Sequence, residues 1–442
     1  MQISKQQELV LEGARLVQDE RRPPAVAVAR AAKAATEPVV TLCDNVEAFE
    51  VLAAEWNGLL GRASHKSAFL KHQWMSAWWQ LIGAASASRQ LFVLLARDGS
   101  GQLVGVLPLC REIRGHGLLR RRVLQFLGSW PEAPEHLDAI VQQEGAAAIV
   151  EALVAELESM RSQFEAIELL DLAEKSLLQP ALARWSTAAG HAQRSWMWQE
   201  CPYITLAGSF DKFMMTLTQK HRYKVRLFGK RLAAAHKVEL EVAAEPAQVG
   251  PALEEMIRLH AMRWTLKTDD VSGFDDPAVH AFHRRACALL AADDAIRIFL
   301  LRCDGRAVAA CYCFVYAGRV YFFQPGFDPE FRKLHVGKVL LARVIEYCYQ
   351  NGLTEFDFLR GTEEYKFDWT QQKRPTMACN IALTPRARLA HAVLDAEARL
   401  QVQWMALRQR VVTRLKATPA GARALALARR LSGRTAPAPA EE

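Results

Sequence analysis

Apolar residues along this chain fall into short runs, and the runs recur in a fixed order. Leu91–Arg97 and Leu103–Leu109 are joined by Asp98-Gly99, which predicts a hairpin. Ile296–Arg302 and Ala307–Phe314, joined by Asp304-Gly305, repeat that plan about 200 residues later. Val123–Gly128 then predicts a strand entering a loop, Ala147–Leu157 a helix and Ala166–Leu172 a strand. In the second half Val320–Gly326, Gly337–Tyr349 and Glu355–Leu359 give the same succession, with Asn351-Gly352 as the helix stop. The ordered repeat implies two related modules of class α/β (α+β), each a mixed sheet flanked by helices, at 39–200 and 201–384.

Outside the repeat, residues 1–38 carry no aromatic residue and little periodicity, and are expected to form a poorly ordered leader. Val39–Leu42 predicts a first strand, and Val46–Leu60 and Gln73–Leu81 predict helices. Trp74, Trp78 and Trp79 share one face of the latter, a spacing that favours core packing. Residues 385–442 alternate Leu and Ala with Arg and predict a basic pair of amphipathic helices broken at Thr418-Pro419.

Charge changes the picture only at that end. The chain has 442 residues and a net charge of +8. Eleven Lys and Arg against four acids between Thr384 and Glu442 leave the rest nearly neutral. The tail is therefore a candidate docking element, for a membrane surface, a synthase partner or the second module itself. No run approaches the roughly 20 apolar residues of a membrane span, and no apolar segment follows a basic start. Nine cysteines scattered within apolar runs read as reduced core residues. A cytoplasmic protein, peripheral at most, is the expectation.

Candidate chemistry concentrates in the second module. A strand that opens into a loop before a helix offers free N–H groups to an anion. The loop Gly326–Lys338 supplies Arg332, Lys333, His335 and Lys338, with Gly337 where backbone must come close. Its counterpart, Gly128–Asp138, has three acids and no Lys or Arg, so a phosphorylated cofactor belongs to the second module. Asp357 ends a mostly apolar strand, Gly361 lets the chain turn, and Glu363, Tyr365 and Lys366 follow. A carboxylate, a phenol and an amine at a strand end are the groups that acid–base catalysis needs. The competing reading is a structural Asp357–Lys366 ion pair with Tyr365 and Trp369 packed inside. His260, Arg263 and Trp264 share a helix face and are candidates for an acceptor pocket. His280 and His283 lack companions for a metal site, and none is expected. The run Lys220–Lys237 holds seven Lys and Arg and no acid, which suits a solvated helix face or a grip on RNA or an anionic glycan.

Val320–Pro329, Val336–Leu341 and Asp357–Trp369, with the basic helix His221–Arg231, resemble the acyl-CoA N-acyltransferase (GNAT) superfamily. The resemblance is strongest to its CelD-like branch, related to the FemABX aminoacyl transferases, and covers about 40–384. Phe69–Trp79 and Leu103–Leu109 resemble the first half of that branch. The resemblance implies tandem GNAT-like modules and acetyl-CoA or another acyl-CoA as co-substrate, without a metal. Gln324, Arg332, Lys333, Val336, Gly337 and Lys338 would hold the cofactor. Asp357, Glu363, Tyr365 and Lys366 would be catalytic, and His260, Arg263, Trp264 and Trp369 would face a small-molecule or glycan acceptor. Around Gly337 the chain departs from the usual pattern, with Leu334 and Val339 at positions where Gln or Arg and Gly or Ala are common. The setting implied is polysaccharide or envelope synthesis. The alternatives are a FemABX-like transfer from aminoacyl-tRNA and a non-catalytic accessory of a polysaccharide synthase.

Overall fold

A computed structural model describes residues 37–129, 134–264, 274, 276–397 and 399–400. The described residues from Glu37 to Arg388 form one compact unit. The expected leader up to residue 36 lies outside the described residues, as does most of the expected tail; its described part, 385–397 and 399–400, is helical.

The compact unit opens with β1 (Val39–Cys43), α1 (Val46–Val51), α2 (Ala53–Gly61) and α3 (His72–Trp78). The hairpin β2 (Arg89–Arg97) and β3 (Leu103–Arg114) follows, then β4 (Arg121–Phe126), β5 (Ile140–Val141), α4 (Ala146–Ser159) and β6 (Ala166–Leu172). Next come α5 (Leu178–Ala188) and the long β7 (Ala192–Thr205), which leads to α6 (Phe210–Thr216) and α7 (Gln219–Ala235). The second set is β8 (Val238–Ala243), α8 (Pro246–Trp264), α9 (Pro277–Ala291), β9 (Ile296–Cys303), β10 (Arg306–Tyr316) and β11 (Arg319–Phe327). It closes with α10 (Val336–Gln350), β12 (Glu355–Asp357), α11 (Glu364–Phe367) and β13 (Lys373–Ala382). The polar starts are capped as their sequences suggest: Asn45 Oδ1 accepts from Ala48 N–H, and Thr218 Oγ1 from His221 N–H.

The strands form one mixed sheet in the order β1-β2-β3-β4-β6-β13-β7-β12-β11-β10-β9-β8, with β5 paired to β3. Among the described strands, β4–β6 and β11–β12 pair in parallel, and both pairings are brief. Val123 and Leu124 register with Ala166 and Ile167 before those strands part, and Arg319–Tyr321 register with Glu355–Asp357 before the others do. The repeat in the sequence is thus a repeat of splayed strand pairs. Its closure is not local: β13, from the chain's far end, lies between β6 and β7, while the last residues of β7 pair with β12.

The two halves meet through aromatic packing. Phe69 and Trp74, both fully buried, sit edge-on to Phe314 of β10 at centroid distances of 5.0 and 5.4 Å, and Phe69 reaches Tyr321 at 5.6 Å. Such pairs add about 0.5–1.5 kcal/mol each beyond the area they bury. Trp78 and Trp79 are also buried. All nine cysteines are free and buried. Cys311 and Cys313 lie on one side of β10 with their sulfurs 3.2 Å apart. Among the described residues no helix is long and apolar enough to cross a membrane.

Candidate active site

The cleft of the second half is built by three breaks in regular structure. β11 carries a bulge opposite Tyr312 and Cys313, so Phe323 stands outside the ladder. Beyond it Gly326 touches α8: a Cβ there would lie 2.5 Å from His260 N and 2.7 Å from the Leu259 carbonyl carbon, so only glycine fits. After β12 the chain passes Leu359 at φ +56° and Gly361 at φ +110°, the latter a conformation left to glycine.

At one end of the cleft His335, at φ +54°, turns the chain into α10. Its ring stacks on Phe228 of α7 at 3.8 Å. Burial, helped by Lys338, Lys224 and Arg231, holds His335 below its ordinary pKa. These three cations lie around the start of α10. Lys224 and Arg231 lie one heptad apart on α7, beside the buried face of His221, Val225, Phe228 and Leu232. Lys338 reaches Asp368 at 2.9 Å. Arg332 and Lys333 are exposed on the 3₁₀ turn Pro329–Leu334, and Gly337 is exposed at the helix start. The Val336 side chain points instead into the core, and Gln324 is half-buried on β11. Positive charge from two helices therefore meets the N–H end of α10, where an anion gains from dipole and charge together.

The other end of the cleft holds the acid–base groups. Lys366 is 3% exposed and donates to Leu359 O at 3.4 Å and to Arg360 O, with Glu363 Oε2 at 3.0 Å. It clasps the strained turn and leaves Asp357 unpaired with it, so the Asp357–Lys366 ion pair is not formed. The Glu363 carboxylate is more than half exposed. Burial pushes the Tyr365 phenol well above its ordinary value; Glu363 adds to this, and Arg263 opposes it, which places these groups near one another. His260 Nδ1 and Arg263 Nη1 lie 3.1 and 3.0 Å from the Pro325 carbonyl, gripping β11, and the Trp264 ring stands 5.8 Å from His260.

Trp369 is placed elsewhere. It is buried in the core on the α7 side, edge-on to His221 at 4.6 Å, and borders a cavity of about 470 Å³ with Ile204, Phe213 and Leu217.

Asp357 belongs to a buried network that sequence reading did not find. Its Oδ1 accepts from Leu359 N–H at 2.8 Å, and its Oδ2 lies 3.0 Å from both His136 Nε2 and Arg374 Nη2. Burial alone would raise this carboxyl; His136 and Arg374 outweigh it and hold the pKa below the ordinary value. Arg374 also pairs with Glu355 at 2.5 Å and covers the Tyr203 ring at 4.1 Å. Next to it Arg360 bonds Glu135, and Asp171 at 3.2 Å, while Thr376 donates to Asp171 at 3.2 Å. Burial raises Asp171 to about 6 despite Arg360. His136, Asp171 and Leu359 all have φ between +56° and +58°, unfavourable for residues with a side chain.

Glu135 and His136 come from the acidic loop of the first half. Leu137 bridges Leu172 in parallel, so this part of the loop runs beside the end of β6. Asp138 beside it is buried, accepts from Ser176 Oγ and Ala139 N–H at 2.8 Å, and is raised by burial to about 7. Among the described residues no group of three or more His, Cys, Asp or Glu is arranged to hold a metal ion.

A splayed parallel strand pair in a mixed sheet, with a cationic helix start at its mouth, frames the cleft of this half. Residues 219–367, about a third of the chain, match the model of the acetyltransferase (GNAT) domain, and this part of the chain belongs to the GNAT superfamily. The chain shares its fold with FemX, at 13% identity and TM-score 0.52 over 76% of this chain and 98% of that one. It is also similar to L-PGS from Bacillus licheniformis (11%, TM-score 0.46, 78% and 95%). A tandem GNAT protein from the clavulanic acid biosynthesis pathway aligns at 10% identity, TM-score 0.39, over 78% and 99%. No curated protein matches the chain.

Proposed function

We propose that the protein is an acyl-CoA-dependent N-acyltransferase whose donor lies between β11 and β12. The observation that carries the reading is the gathering of Lys224, Arg231 and Lys338 at the N-terminus of α10, at the mouth of that cleft. A thioester donor with a diphosphate would set its phosphates there, with Arg332 and Lys333 nearby, and its acyl carbonyl beside the bulge of β11. A backbone N–H on β11 would hold the oxyanion, a contribution of about 3 kcal/mol in comparable sites.

The acceptor amine attacks the thioester carbonyl, the C–S bond breaks and the thiolate leaves. Tyr365 is the acid: its phenol is protonated at neutral pH and passes a proton to the leaving thiolate as the C–S bond breaks, against the burial that makes it a weaker acid. Glu363 receives the ammonium proton through water, because an ammonium of pKa about 10 cannot transfer it efficiently to a carboxylate directly. Asp357, with both oxygens engaged, is a positioning residue that fixes the end of β12. His260 and Arg263 set β11, and Lys366 sets the turn at Leu359–Gly361. The acceptor is a small-molecule or glycan amine, in polysaccharide or envelope synthesis by resemblance.

Steady-state kinetics with an acyl-CoA and a panel of amines tests these roles. Tyr365→Phe should lower kcat about 10²-fold with little change in donor KM, as loss of a general acid does. Glu363→Gln should lower kcat with little change in donor KM. Unchanged kcat in both variants would remove this site from consideration.

The acid-free α7 favours one second reading, transfer from aminoacyl-tRNA, in which the same cations meet nucleic-acid phosphate.

A further inference from the structure

The cations of α7 divide between two faces, and only one faces the cleft. Lys224 and Arg231 flank the buried stripe toward α10. Tyr223, Arg226 and Lys230, spaced three and four apart, form a separate exposed stripe, and exposed Lys220 stands at the edge between the two faces. No Asp or Glu occurs in α7, and none among the described residues pairs with Lys220, Arg226 or Lys230. Tyr223 is 63% exposed within this stripe.

The preceding helix extends the patch. Met215 of α6 is also 63% exposed and shares a helix face with the exposed Lys212, three residues earlier; Asp211 is the single acid of α6. Arg222 locks the two helices together by donating to Met215 O at 2.9 Å and Leu217 O at 2.7 Å. Met215 and the start of α7 are therefore fixed neighbours, and a thioether and a phenol stand exposed among unpaired cations.

We infer that this α6–α7 surface docks the protein on an anionic lipid membrane. A Lys or Arg near such a surface gains from its potential, and Tyr is favoured at the lipid–water boundary, where its ring is buried and its hydroxyl wet. Met215 decides between polyanions. A duplex presents mainly charged phosphate to such a surface and leaves the thioether in water, whereas the interfacial layer takes it up as apolar area. The Tyr223–Arg226–Lys230 stripe lies away from the phosphate-facing edge of α7, so docking leaves the donor site free.

Flotation of the full chain with vesicles of phosphatidylcholine alone or with phosphatidylglycerol tests the inference, with a short RNA duplex as competitor. Binding should require phosphatidylglycerol and fall as salt rises. Neutralising the stripe (Lys220→Gln, Arg226→Gln, Lys230→Gln) should weaken it about 100-fold, at roughly fivefold per charge. Met215→Ser with Tyr223→Ser should weaken vesicle binding several-fold without moving the salt slope. Circular dichroism and acyl-CoA binding report that the variants are folded. Vesicle binding unaffected by the triple change would place the contact elsewhere, such as the basic C-terminal segment, and overturn the inference. So would RNA binding that outcompetes vesicles and ignores the Met215 change.

Discussion

At the residue scale the controlling fact is how burial divides carboxylates that look alike in sequence. Asp357 and Asp138 both end up buried, yet Asp357 is held down by His136 and Arg374, while Asp138 is raised to about 7 by burial, against hydrogen bonds that stabilise its charge. The sign for stability follows. A carboxyl whose folded pKa exceeds its unfolded value of about 3.9 binds its proton more tightly in the folded state. Its stabilising contribution is complete below about pH 4 and lost as pH rises through its folded pKa. Asp138, and Asp171 at about 6, should therefore stabilise the protein less at pH 8 than at pH 5.5, while buried histidines such as His65, lowered to about 4, work in the opposite sense. In urea denaturation, Asp138→Asn should shift the change in stability between the two pH values by about 2 kcal/mol in favour of pH 8 relative to the native protein. A variant with the wild-type pH dependence would contradict the assignment. Asp357 works in the opposite sense: its contribution is present above about pH 4 and lost as pH falls through its lowered folded pKa.

At the element scale the site depends on how closely α8 can approach β11. His260 and Arg263 reach the Pro325 carbonyl because Gly326 lets the helix backbone touch the strand. Gly326→Ala would force the two apart, since the atoms in the way are backbone rather than a flexible side chain. A loss of about 1–3 kcal/mol is expected from such overpacking, with a larger fall in kcat than a surface substitution of equal cost would give. Chemical denaturation with parallel kinetics checks both. Much at this scale was legible in the sequence. The apolar run Ala166–Leu172 is a strand to the residue, and the expected helix Gly337–Tyr349 is observed as Val336–Gln350. The strand expected over Glu355–Leu359 stops at Asp357, because Asp357 takes the Leu359 N–H and turns the chain. The alternation of buried Trp196 and Trp198 around exposed Met197 was the available sign of β7, and it went unread.

At the scale of the whole molecule, sequence separation hid the rest. His136 and Asp357 are 221 residues apart, Glu135 and Arg360 225, and no local pattern joins them. The one usable signal was the acidic loop Gly128–Asp138 without a cation of its own, which finds Arg360 in the other half. The insertion of β13 between β6 and β7 has a direct consequence. Residues 37–200 expressed alone would expose the edges of β6 and β7 and lose Arg360 opposite Glu135 and Asp171, leaving buried charge uncompensated. That fragment should aggregate or show no cooperative unfolding, whereas co-expression with 201–442 should recover it. A fragment that melts cooperatively alone would show the halves to be independent.

The cationic mouth of the β11–β12 cleft is the central claim, and ligand binding measures it most directly. Thermal unfolding of the full chain should be followed with acetyl-CoA, longer acyl-CoAs and tRNA, for the native protein and for Arg231→Gln with Lys338→Gln. Ligand at about 100 times its Kd adds about 2.7 kcal/mol to a folded state that alone binds it. An acyl-CoA should therefore raise the Tm by a few degrees, and the double variant should lose that rise. A rise with tRNA alone, or none with any acyl-CoA, would contradict the account.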